Sequence, residues 1–211
     1  MPHIVLLGDS IFDNKSYVGA EPDVITHLRQ MMPADWRATL NAVDGSVVEN
    51  IGGQLSKIPV EATHLIISVG GNNALMNADV LQLKANSAAE VLNALANRAS
   101  DFESQYREML VDVMNSRTLP TAVCTIYYPN FSDSLIQKIA TTALSVFNDA
   151  IIRQAISVGI PFLDLRLICN EKNDYANEIE PSSKGGGKIA AKILELVQTH
   201  DFLARKTRIY F

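Results

Sequence analysis

Five short apolar runs, each closed by turn-forming residues and separated from the next by a stretch of helical period, constrain this chain most. Residues 4–7 form the first and stop at Gly8. Residues 36–43 alternate apolar and polar side chains and end in Asp44-Gly45-Ser46. Residues 63–69 close on Gly70-Gly71-Asn72-Asn73, residues 119–127 lead into Tyr128-Pro129-Asn130, and residues 161–165 come last. Runs of this length between turn signals read as strands. Between them, Pro22 opens a helix whose apolar positions are Val24, Ile25, Leu28, Met31 and Met32. Residues 47–58 read as a short helix weakened by Gly52 and Gly53. Residues 85–115 carry a long amphipathic pattern, and a second long helix starts at Ser132-Asp133 and closes at Gly159. A last helix is expected over residues 187–198; the tail at 208–211 is assigned no element. Strands alternating with helices predict a parallel sheet covered on both faces. The expected architecture is a flavodoxin-like three-layer α/β/α sandwich with a five-stranded parallel sheet, one domain over residues 1–211.

Bulk properties narrow the function. A net charge of −5 supplies no basic footprint for phosphates, which argues against a nucleic-acid partner. Two cysteines give neither a disulfide framework nor a metal pattern, and no metal or cofactor is expected. No apolar segment approaches the length of a membrane span, and the chain enters its first strand without a leader-like segment. A cytoplasmic protein acting on a small molecule is the expectation.

In a parallel sheet, ligands bind at the loops leaving the carboxyl ends of the strands. Three such loops carry complementary chemistry. Gly8-Asp9-Ser10 offers a hydroxyl, Gly45 a backbone N–H that a substrate oxygen can approach closely, and Asn72 a side-chain amide. A tetrahedral intermediate of acyl transfer needs such donors about 3 Å from its oxyanion. Each piece also has an ordinary reading: Asp9 and Ser10 as turn and cap residues, Gly45 as turn chemistry, Asn72 as a cap.

As an ordered set, Gly8-Asp9-Ser10, Gly45 and Gly70-Gly71-Asn72-Asn73 resemble the SGNH (GDSL-type) hydrolases. The resemblance covers nearly the whole chain and implies ester hydrolysis. Ser10 would be nucleophile and first oxyanion donor, with Gly45 and Asn72 the other two. Asp9, Asn73 and Asn177 would stand on the substrate side. The family's last block, Asp-x-x-His, is altered: Asn177 stands where the Asp is expected and Glu180 where the His is expected. Asn73 likewise departs from the acid that usually closes the third block. No other histidine substitutes. His3 and His64 sit at strand beginnings, on the wrong edge of the sheet; His27 lies mid-helix and His200 follows the last helix. Glu180 is then the titratable group at the base position, or else a carboxylate favoured by the last helix's N-terminus. A carboxylate starts about 2.2 pKa units below imidazole, roughly 3 kcal/mol of proton affinity. Two functions stay open: a small-ester hydrolase using Ser10 and Glu180, and a ligand-binding or regulatory protein on the same scaffold that has lost its base. Asp174 and Tyr175 either line the pocket or belong to a solvated loop. Tyr127, Tyr128 and Phe131 form either a pocket wall or core closure.

Overall fold

A computed structural model describes residues 1–211. Strands β1 (His3–Gly8), β2 (Arg37–Leu40), β3 (His64–Ser68), β4 (Thr121–Cys124), β5 (Phe162–Leu163) and β6 (Ile209–Tyr210) form one sheet in the order β2-β1-β3-β4-β5-β6. Every neighbouring pair is parallel. The helices are α1 (Lys15–Val18), α2 (Val24–Met31), α3 (Ile51–Leu55), α4 (Gly71–Met76), α5 (Ala88–Ser116), α6 (Ser134–Val158), α7 (Leu165–Ile168) and α8 (Ser183–Thr199).

The two-residue period of β1 builds both halves of the core. Ile4 and Leu6 point into one layer with Val24, Leu28, Ile189 and Ile193. Val5 and Leu7 point into the other with Phe102, Tyr106, Phe147 and Ile151. All six β1 residues are buried, as expected of a central strand covered on both faces. Helices α2 and α8 therefore cover one face, and α5 and α6 the other.

The sheet has six strands where five were expected. The Phe162 N–H donates to the Arg208 carbonyl and the Asp164 N–H to the Tyr210 carbonyl, which draws the tail onto the edge. Two paired residues, one exposed and one buried, are too few to show a period. Strands β2 to β5 are also shorter than their apolar runs, because the chain leaves the sheet at the carboxyl edge to build the site loops. The expected helix over residues 47–58 divides into a tight turn at Val48–Asn50 followed by α3. Helix α8 begins at Ser183 rather than at 187, capped by Ser182 Oγ on the Gly185 N–H. Its glycines belong to the helix because it packs tightly: a Cβ on Gly185 would lie 2.2 Å from the Asp174 carbonyl oxygen.

Candidate active site

The site grows from the end of β1. Gly8 takes φ +132°, and a Cβ there would fall 1.8 Å from the Ser68 carbonyl oxygen of β3. Only glycine fits such a crossing. The Gln54 side chain then grips Gly8 at two points, its Oε1 accepting from the Gly8 N–H at 2.7 Å and its Nε2 donating to the carbonyl at 2.8 Å. The chain turns next, with the Phe12 and Asp13 N–H groups both on the Asp9 carbonyl. Ser10 is thereby presented at the carboxyl edge, with its own N–H engaged by no protein acceptor.

The second wall comes from the segment ahead of α8. Asn177 is exposed, and its Oδ1 accepts from the Ile179 and Glu180 N–H groups, each at 2.9 Å. This Asx turn is fastened by the Ala176 N–H on the Glu180 carbonyl and by the Tyr127 hydroxyl on the Ile179 carbonyl. It delivers the Glu180 carboxylate to Ser10. Ser10 Oγ donates to Glu180 Oε1 at 3.1 Å, both side chains buried, across 170 residues of sequence. Burial pushes the Glu180 carboxyl up to about 7, with the Asp44 charge acting in the same direction and the Ser10 hydrogen bond against it. Asp9 is also buried at the cavity wall, and desolvation pushes its carboxyl up to about 7, with Glu180 adding to the rise.

The remaining sequence candidates fall into different places. Asn72 lines the cavity and spends one amide hydrogen on the Ser46 carbonyl at 2.9 Å, leaving the other free. Gly45 lies outside the cavity lining, turning at φ +77° in the exposed loop after β2, and no acceptor engages its N–H. That loop is held by the Asp44 N–H on Asp13 Oδ2 and the Tyr17 hydroxyl on Asp44 Oδ2. Asn73 lies outside the cavity lining: its Oδ1 accepts from the Val48 N–H and its Nδ2 faces Glu49, which fastens the neighbouring turn. Asn177 likewise shapes the loop that carries Glu180 rather than lining the cavity.

Asp174 is neither pocket lining nor solvated loop. It is fully buried, and its Oδ2 accepts from the Asn170 and Glu171 N–H groups and from Lys188 Nζ. The histidines stay away from Ser10: His3 bonds Thr39, His64 bonds Thr63, His27 bonds Ser183 and His200 packs against Phe202. No group of three acids, histidines or cysteines converges to hold a metal ion. Gln54 is the positioning residue that sequence reasoning missed. A glutamine in a weak helix carries no signal of its own, and only its reach to Gly8 gives it a role.

Ser10 and Glu180 open onto a cavity of about 470 Å³ between the sheet edge and helices α4, α5 and α6. Its walls are mainly apolar, with Leu75, Leu95, Ile136, Ile139, Leu144 and Phe147 among them. Tyr127 and Phe131 line it, whereas Tyr128 does not; Tyr127 is at the same time part of the core. A hydroxyl bonded to a basic carboxylate, beside free N–H donors and an apolar chamber, is chemically equipped for acyl transfer.

No protein-family model matches the chain, and no curated protein matches it in sequence. Solved structures match it in shape. The lipase Lip_vut3 from a goat rumen metagenome superposes with a TM-score of 0.71 at 17% identity, covering 92% of this chain and 96% of that one. The extracellular lipase of Streptomyces rimosus gives 0.68 at 15% identity, over 95% of this chain and all of that one. A member of the lipolytic G-D-S-L family from Veillonella parvula gives 0.62 at 15% identity, again over 95% of this chain. No helix of the present chain is long and apolar enough to cross a membrane. Identities this low speak for shape, and the shape shared over nearly the whole length is that of the SGNH (GDSL-type) hydrolases, whose fold this chain carries.

Proposed function

We propose that the chain hydrolyses carboxylic esters with an apolar acyl chain, using Ser10 as nucleophile and Glu180 as general base. The observation that carries this reading is the 3.1 Å hydrogen bond from Ser10 Oγ to Glu180 Oε1 at the mouth of the apolar cavity. Serine oxygen attacks the ester carbonyl carbon while its proton passes to Glu180. The resulting oxyanion draws on the Ser10 N–H, the Gly45 N–H and the free amide hydrogen of Asn72. Collapse expels the alcohol, which takes the proton from Glu180 and leaves an acyl-serine. Water, deprotonated by Glu180, then releases the acid and restores Ser10. A cavity of this volume and apolarity favours a chain longer than the acetyl of a minimal ester.

The test is hydrolysis of p-nitrophenyl acetate and octanoate by wild type, Ser10→Ala and Glu180→Gln. Turnover of the octanoate that both substitutions abolish supports the reading; turnover that survives Ser10→Ala overturns it. A second reading, a ligand-binding protein on this scaffold, is favoured by the lack of any histidine in the cavity lining. It predicts that an alkyl fluorophosphonate leaves Ser10 unlabelled while the cavity still binds apolar ligands.

A further inference from the structure

The charge lining the cavity is one-sided. Of its 28 lining residues, Asp9 and Glu180 are the acids, and no lysine, arginine or histidine is among them. Asp13 and Asp44 add negative charge in the adjoining loops, where they bond an N–H and a hydroxyl rather than a cation. None of these four acids takes part in an ion pair. Within the cavity, Glu180 is only 6% exposed. Its Oε1 is engaged by Ser10, while its Oε2 is buried without any hydrogen-bond partner.

A buried carboxylate oxygen without a hydrogen-bond partner is costly, and a cationic donor beside the carboxylate offsets the charge as well as supplying a bond. A neutral hydroxyl would fill the bond alone. An anionic head group would face two acids in a medium that screens them poorly. The apolar walls beyond set the other half of the ligand.

We propose that the cavity takes a positively charged amphiphile, an alkyl chain ending in a primary ammonium, with the ammonium against the Glu180 carboxylate at the acidic end of the cavity and the chain along the α5 and α6 walls. The same arrangement repels fatty carboxylates, the products of the proposed hydrolysis, and so favours their departure. The inference rests on reading the cavity as the ligand site of the proposed enzyme, and it does not require turnover.

Titration calorimetry of the wild-type protein with decylammonium, decanol and decanoate, at mildly alkaline pH and below micelle formation, tests it. The expected order is decylammonium tighter than decanol by about tenfold or more, with decanoate weaker than decanol. Glu180→Gln keeps the cavity's shape and should bring decylammonium down to the affinity of decanol, with decanol unchanged. Equal binding of decylammonium and decanol in the wild type overturns the proposal, as does failure of all three to bind. A preference that survives Glu180→Gln and disappears in Asp9→Asn also overturns it, because the ammonium would then sit on Asp9. Ester hydrolysis is read separately: an inert enzyme with this order of affinities refutes the hydrolase alone, and an active one without it refutes this inference alone.

Discussion

In the proposed mechanism Glu180 takes the part of a histidine, and its surroundings change what a carboxylate can do. Free glutamate is a weak base, but burial brings Glu180 to about 7, which recovers the disadvantage against imidazole. The Asp44 charge pushes in the same direction, while the Ser10 hydroxyl pushes back. Hydrolysis should therefore rise with pH through about 7 on a single deprotonation and level off above it. Glu180→Gln should lower kcat by about 10²- to 10⁴-fold and remove that pH limb, as initial rates across pH will show. The same burial has a consequence for stability. Asp9 and Glu180 have native pKa values raised above their unfolded ones, so the folded protein holds protons that the unfolded chain has already released. Their contribution is complete below the unfolded values near 4 and is lost as the pH rises through about 7. Glu180→Gln should thus raise Tm relative to wild type at about pH 8 and leave it nearly equal at about pH 4. Each kcal/mol moves Tm by about 2–4 °C in a chain of this size. Calorimetric melts at the two pH values decide it. Asn177 acts through Glu180: Asn177→Ala removes the Asx turn and should lower kcat with little change in KM, whereas Asn177→Asp, which keeps the acceptor, should restore most of the rate.

Helix α8 shows how an element can depend on glycine without any turn. Gly185 and Gly186 lie inside it, against Asp174 and Val24. Helical propensity alone would favour alanine by about 1 kcal/mol. At Gly185 the Cβ would meet the backbone of Asp174, a residue held by Lys188 at its carboxylate and by the Ser182 N–H at its carbonyl, and relief would require moving the helix. Gly185→Ala should therefore lower Tm by several degrees, an overpacking cost of about 1–3 kcal/mol. Gly52 and Gly53 in α3 make the control, because a Cβ on either meets open space. Gly52→Ala should be neutral or stabilising by up to about 1 kcal/mol. Opposite signs from the two substitutions in one thermal melt series would separate close packing from propensity.

Across the whole molecule, the layered sandwich places Ser10, Glu180 and the cavity on one edge of the sheet. Ser10 comes from the end of β1, Asn72 from α4 after β3, and Glu180 from the loop before α8. The cavity is bounded by α5 and α6, whose apolar stripes run past the core and leave Leu95, Ile136 and Ile139 to line it. Chain length should be set there rather than beside Ser10. Ala143 of α6 lines the same wall. Ala143→Trp should reduce octanoate hydrolysis about tenfold or more while leaving acetate hydrolysis nearly unchanged, read as the ratio of kcat/KM for the two esters.

Alternating apolar runs and helical periods were enough to define the layers, because side-chain period is set by neighbours along the chain. Gly8-Asp9-Ser10 at the end of the first run was legible for the same reason, and with it the edge on which the site lies. The two residues of β6 were not, since a strand that short gains its identity from the Phe162 and Asp164 N–H groups it meets. Nor could local pattern separate Asn73 and Asn177, which fasten loops, from Asn72, which faces the cavity. The Ser10 to Glu180 contact joins residues 170 apart. Such a contact, the raised basicity of Glu180 and the unpartnered Oε2 arise from burial and packing, which exist only once the layers have closed.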